Sequence, residues 1–183
     1  HAPFLLVGIL GAVIVPLIVK FMPPMTAHVR KDEPAPGFWP VISNVMGNSQ
    51  QRNALLFSAL IMLGHFLIIP FVNPYMEFNV GYSKQQTPMI YLIGGLASFA
   101  SANILGRLAD RYGKMTIFTI CILLSLVIVW SITNLHAIPF ALSLTIFAIW
   151  FTLSTGRMVS ANAMISNVVQ SEKRGSFMSF NSS

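Results

Sequence analysis

An all-α fold with several membrane-crossing helices follows from three features of the sequence. Of its 183 residues 55% are hydrophobic and only 9% are charged, against about a quarter charged in a soluble domain. Several apolar runs approach the roughly 20 residues that a helix needs to cross a hydrocarbon core. The net charge of +6 is carried by cations placed between those runs, not in a patch with interleaved aromatics, a pattern suited to membrane lipids and not to nucleic acid. The one cysteine, Cys121, lies inside an apolar run, which excludes a disulfide within the chain and a cysteine metal cluster and makes the residue a small hydrophobe.

Residues 3–19 are apolar apart from Gly8, Gly11 and Pro16, and Lys20 follows, which makes 1–22 a membrane-spanning helix that leaves the bilayer on its basic side. No basic region precedes this span and no small-residue cleavage site follows it, so it is not a signal peptide. Residues 23–52 form the one long connection. Pro23, Pro24, Pro34, Pro36 and Pro40 exclude a continuous helix through its first half. Over 40–51, Val41 and Val45 behind Phe38 and Trp39 leave two options, a short interfacial helix or a disordered linker.

Residues 53–183 hold the remaining spans, at about 54–73, 88–107, 115–133 and 138–168, with the start of another at 176–183. Gly64, His65 and Pro70 interrupt the first of these. In the second, Gly94, Ser98, Ala102 and Gly106 recur every fourth residue, which lets another helix backbone approach closely. The third is the most uniformly apolar and suits a lipid-facing position. Asn73 to Lys84 reads as an exposed loop and Asn134-Leu135-His136 as an uncharged turn. Gly106-Arg107-Leu108-Ala109-Asp110-Arg111-Tyr112-Gly113-Lys114 reads as a charged, glycine-bracketed turn, and Ser171 to Gly175 as a break.

Nine of the eleven Lys and Arg residues sit in or beside the 23–52 connection, the 106–114 turn and the 170–175 loop. Lys84 stands alone in the opposite loops, and Arg157 lies inside a span. By the positive-inside rule the three basic regions are cytoplasmic.

The pattern Gly106, Asp110, Arg111, Gly113 and Lys114 between two spans resembles the cytoplasmic loop signature of the major facilitator superfamily. Arg157, followed by Glu172-Lys173-Arg174-Gly175-Ser176-Phe177-Met178-Ser179, is similar to helix 10 and the loop into helix 11 of its drug and sugar efflux branch, the arabinose-efflux-permease type. Gly64-His65-Phe66 through Pro70-Phe71 to Asn73-Pro74-Tyr75 is similar to helix 7 of such proteins. The resemblance implies a partial fold of that family, mostly the C-terminal six-helix bundle, in a fragment running from helix 6 to the start of helix 11. Residues 1–22 are then the last helix of the N-terminal bundle, 23–52 the cytoplasmic linker, and 53–183 an incomplete C-terminal bundle. It also implies the bacterial inner membrane, a small-molecule substrate and, as a partner, the missing N-terminal bundle of the same chain.

Asp110 follows Gly106 by four residues, on the same face if the helix continues that far. A carboxylate there can accept charge-assisted hydrogen bonds from a neighbouring helix N-terminus, from Arg111 or from Arg107. The resemblance implies a conformational latch made of Gly106, Arg107, Asp110, Arg111, Gly113 and Lys114. The alternative is that these charges only anchor helix ends to headgroups. Lys173, Arg174 and Gly175 belong to the second cytoplasmic loop.

Arg157 is the only cation deep in an apolar context, about ten residues or roughly 15 Å of helix from the next loop. Such an arginine is costly, paired and functional by default. His65 is the only side chain within a span that titrates near neutral pH, a candidate proton or substrate site against the plainer reading of an interhelical hydrogen bond. Tyr91, Trp150 and Asn162 are candidate cavity-lining groups, with Asn103 and Asn167 further polar positions on the spans.

None of the five carboxylates lies within an apolar span: Asp32, Glu33, Asp110 and Glu172 are on the basic side and Glu77 on the other. A proton-coupled antiporter needs a group that loads and releases protons in the pathway, and His65 is the local substitute. No Walker loop, zinc-type histidine spacing or nucleophile elbow is present, so no cofactor, metal or enzymatic activity is expected. The expected function is proton-coupled efflux of drugs or sugars by alternating access. The alternatives are a complete small polytopic scaffold or assembly protein and, more weakly, a membrane enzyme.

Overall fold

The computed structural model describes residues 2–21, 38–136, 138–169 and 171–181. All the regular structure among them is helical: α1 (Ala2–Phe21), α2 (Phe38–Gly47), α3 (Ser49–Phe66), α4 (Ile69–Phe78), α5 (Thr87–Tyr112), α6 (Lys114–Thr133), α7 (Phe140–Asn167) and α8 (Ser171–Asn181). Five segments are long and apolar enough to cross a membrane: Phe4–Phe21, Ser49–Phe78, Thr87–Tyr112, Lys114–Thr133 and Phe140–Asn167. The protein is therefore an all-α, multi-pass membrane protein. Residues 1–38 and 39–183 form two compact units. In the first, α1 keeps its helix through Pro16, and its side chains from Phe4 to Phe21 are exposed, as suits an apolar surface whose solvent is lipid.

In the second unit α7 is the central helix. It packs most extensively on α5 and α6, and its own buried side chains include Phe147, Trp150, Leu153, Ser154, Gly156, Ser160, Ala161 and Ile165. Small residues set the spacing. A Cβ added at Gly94 would run into the Phe151 ring, one at Gly106 would touch Val159 Cγ1 at 3.8 Å, and one at Gly156 would meet Cys121 Sγ at 2.6 Å and Leu105 Cδ1 at 3.0 Å. Ser98 Oγ donates to the Phe151 carbonyl at 3.4 Å. Without a hydrophobic drive between helices in lipid, this close backbone approach is what holds them together. One side of α6 carries out that packing through Ile117, Phe118, Cys121 and Ser125, while Leu123, Leu124, Leu126, Val127 and Trp130 stay exposed.

Three connections differ from the sequence expectation. The 106–114 stretch is not a turn: residues 106–112 complete α5, and Gly113 alone, at φ +95°, reverses the chain into α6. Only glycine adopts that backbone without strain, and the helix-forming run Arg107 to Tyr112 has nothing to stop it earlier. The break after α7 falls at Val168 and Val169, and Ser171 to Gly175, expected to be a loop, is the start of α8. The interrupted span is longer than 54–73. Asn48 caps α3 by accepting from the backbone N–H of Gln50 (3.0 Å) and Gln51 (3.3 Å), so the helix begins at Ser49. Residues 38–47, left open between a helix and a linker, are helical.

The interruption itself lies at Leu67–Ile68. Pro70 has no N–H to give the carbonyl of Phe66. The chain tightens there, with Ile68 N bonding His65 O at 3.2 Å and Phe71 N bonding Ile68 O at 3.1 Å, before α4 starts with Pro70 in its first turn. The last turn of α3 thus carries His65 into the middle of the combined span. The far end of α4 is held by Tyr75, whose hydroxyl donates to the carbonyls of Thr133 (3.0 Å) and Leu135 (3.3 Å), and the following loop by Tyr82, which donates to Ile138 O at 2.8 Å.

Candidate functional site

Trp150, Ser154 and Arg157 recur every fourth or third residue along one face of α7, and the first two meet His65 in the last turn of α3. The His65 and Trp150 rings are nearly parallel, 11° apart with centroids separated by 6.3 Å. Ser154 Oγ lies 3.4 Å from His65 Nδ1, and Arg157 Nη2 donates to the same Oγ at 3.3 Å. If the Ser154 oxygen accepts from the guanidinium, its own proton is free for His65 Nδ1, which assigns the neutral His65 proton to Nε2. The row therefore runs from a fixed positive charge, through one hydroxyl, to an imidazole.

Beside this row lies a cavity of about 320 Å³ lined by His65, Ser98, Phe151, Ser154, Thr155, Met158, Val159 and Asn162. Its volume is within the range of small-molecule sites, which begins near about 300 Å³. Ser98 and Thr155 both turn their hydroxyls to the Phe151 carbonyl, so those donors are already spent. Phe151 meets Tyr91 edge-on at 6.1 Å and Trp150 edge-on at 4.9 Å, and Tyr91 donates to Ile69 O at 3.2 Å across the helix break. An aromatic wall thus backs the polar row.

Three polar atoms in and near this row are buried with no hydrogen-bond partner: Trp150 Nε1, Arg157 Nε and Ser160 Oγ. Arg157 makes no ion pair among the described residues. An arginine at the centre of a membrane helix costs about 2.5–3.5 kcal/mol even on the mildest scale, and nothing in its surroundings offsets that with a negative charge.

The structure brings His65, Trp150 and Arg157 into one cluster, sets Asn162 in the wall of the adjoining cavity and reaches Tyr91 through Phe151. It does not bring in the charged stretch. Gly106 faces Val159, two residues beyond Arg157. Arg107, Asp110 and Arg111 beyond it are exposed. Asp110 has no hydrogen-bond or ion-pair partner among the described residues, and Arg111 lies over the neighbouring Tyr112 ring at 5.4 Å. Lys114 is half-buried at the start of α6, Arg174 and Gly175 are exposed on α8, and the Lys173 side chain lies outside the described residues.

Sequence reasoning missed Ser154, the one residue that links His65 to Arg157. Its spacing three before Arg157 was the available signal, since residues so placed share a helix face. Ser98 was seen only as a small residue, yet it lines the same cavity.

A sequence model described as the Major Facilitator Superfamily matches residues 1–183, the whole chain. No curated protein and no solved structure matches it significantly.

Proposed function

The chain belongs to the major facilitator superfamily of transporters, and on that premise we propose that it works by alternating access, with the His65–Ser154–Arg157 row in the substrate path. The observation that carries this reading is an arginine inside an apolar bundle with no counter-ion among the described residues, one hydroxyl away from a cavity. A purely structural residue at that depth would be selected to be apolar or paired. The neighbouring break between α3 and α4 adds support, because discontinuous helices are where transporters build their midplane sites.

In finer terms the protein is a proton-coupled exporter of drugs or sugars in a bacterial inner membrane. Residues 1–22 supply the last helix of the N-terminal bundle, 23–52 the linker, and 53–183 most of the C-terminal bundle. Residues 23–52, 106–114 and 170–175 face the cytoplasm. Asp110, exposed and unpartnered among the described residues, is the latch carboxylate, and its partner belongs to the other bundle. Protons are carried by His65 or by a carboxylate of that bundle, because Glu77 and Asp110, the acids of the described spans, stand in the last turns of α4 and α5 and do not line the cavity.

The test is reconstitution of the full-length protein in liposomes with an imposed pH gradient. Labelled sugars and amphipathic drugs should move against their gradients, and Arg157→Leu should stop them. Failure of every substrate to move, with the protein folded and oriented, would sink the transporter reading.

A further inference from the structure

We propose that the cavity beside Ser154 takes the negatively charged group of an organic acid with an aromatic body, an inference that rests on the transport reading above. Its starting point is what the cluster lacks. Arg157 Nε and Trp150 Nε1 are buried without partners, and both groups can only donate. Ser98 and Thr155 have given their protons to the Phe151 carbonyl. Ser154 accepts from Arg157 and passes its proton toward His65, so the imidazole faces its remaining partner as a donor too. Ser98 and Thr155 therefore offer a guest only lone pairs, and Asn162 offers both an amide N–H and a carbonyl.

The missing element is a counter-charge to Arg157, which no residue lining the cavity supplies. Arg157 bonds a hydroxyl of the cavity wall and no carboxylate is among the lining residues, so a cationic guest would enter against the Arg157 field with nothing in the lining to compensate it. A carboxylate seated near Ser154 and His65 would lie one hydroxyl from the Arg157 guanidinium, with the Asn162 amide N–H among the donors of the lining. The rest of the guest meets Phe151, Met158 and Val159, with Tyr91 and Trp150 set edge-on against Phe151. That lining favours a flat apolar body over a polyhydroxylated one, which would need more acceptors and donors than the wall presents.

The experiment compares three probes of one shape, 2-naphthoate, 2-naphthamide and 2-naphthylmethylammonium, binding to the full-length protein in nanodiscs of net-neutral lipid, so that no anionic headgroup competes. Binding is read by calorimetry. A charge-assisted contact of the usual strength predicts that naphthoate binds about tenfold or more tightly than the other two. Arg157→Gln should reduce that preference to within about twofold, and Ser154→Ala should reduce it by about threefold, providing a second variant should the first fail to fold. Equal or tighter binding of the ammonium probe overturns the proposal. So does a naphthoate preference that survives both substitutions, since the charge would then be recognised elsewhere. Transport of a neutral or cationic substrate with no naphthoate binding would reject the anion site while leaving the transporter reading intact. An anion that binds but never crosses the bilayer, together with every other substrate failing to cross, would reject transport instead.

Discussion

The two seams of α7 are built on opposite plans. Against α5 and α6 it presents and receives small residues: Gly94 admits the Phe151 ring, Gly156 admits Cys121 and Leu105, and Gly106 lies on Val159. Against the end of α3 it presents Trp150, which stacks on His65, and Ser154, which lies 3.4 Å from His65 Nδ1 and accepts from Arg157 at 3.3 Å, with a cavity alongside. Close packing with no polar demand makes one seam a rigid frame. Loose contacts with unspent donors make the other a place where something can bind. The comparison separates stability from function on the same helix, and substitutions on each seam should act accordingly.

The largest effect is expected at Gly94. Leucine there must displace the Phe151 ring or the backbone of α5, and overpacking of this kind costs about 1–3 kcal/mol, here at the upper end because the ring is itself wedged between Tyr91 and Trp150. Gly94→Leu should lower the melting temperature in detergent and the yield of monodisperse protein. Wild-type melting would mean that the α5–α7 seam is not the frame.

Arg157→Leu should do the reverse. Removing an unpaired cation from the interior relieves a cost of about 2.5–3.5 kcal/mol on the mildest scale, so the melting temperature should hold or rise while transport falls at least about tenfold. A marked loss of stability would show that Arg157 has a structural partner, and the seams would no longer differ in kind. Trp150→Phe sharpens the same contrast. It keeps an aromatic ring beside His65 and removes an N–H that is buried without a partner. Such a group costs about 1–3 kcal/mol, so about 1 kcal/mol of stability should be gained, a rise of roughly 2–4 °C for a chain of this size. A lower melting temperature would mean that the indole N–H is satisfied in the membrane.

How much of this was legible beforehand depends on whether a feature is local. Apolar runs of spanning length, the helix interruption at Pro70 and the small-residue stripe on α5 are written in consecutive or evenly spaced residues, and the structure carries all three. The reversal between α5 and α6 was misread because charge and two glycines suggested a turn of nine residues. Helix propensity from Arg107 to Tyr112 prevails until Gly113, where a positive φ is needed. Likewise the acidic and basic residues after Val169 looked like a helix breaker, although Glu, Lys and Arg are good helix formers. In the site, Arg157 and His65 stood out as polar residues in apolar surroundings. Ser154 did not, because serine is common in membrane helices and its role depends on a histidine 89 positions away in sequence.

The charged stretch supplies the smallest expected change in stability and the clearest separation of roles. Asp110 is exposed, and neither Arg107 nor Arg111 pairs with it. Substitutions at such positions usually shift stability by less than about 0.5 kcal/mol, so Asp110→Asn should leave the melting temperature where it was. A latch, by contrast, stabilises one conformational state over another by contacts made only in that state. Losing it should change how often the cytoplasmic side opens. Labelling of a Lys114→Cys variant by a membrane-impermeant maleimide from the cytoplasmic face measures that opening. If the latch partner lies in a second bundle, as proposed, Asp110→Asn should change the labelling rate by several-fold in a protein that contains that bundle and leave it unchanged in these 183 residues alone. An equal change in both would place the partner of Asp110 within this chain, and no change in either would reduce the stretch to an anchor for headgroups.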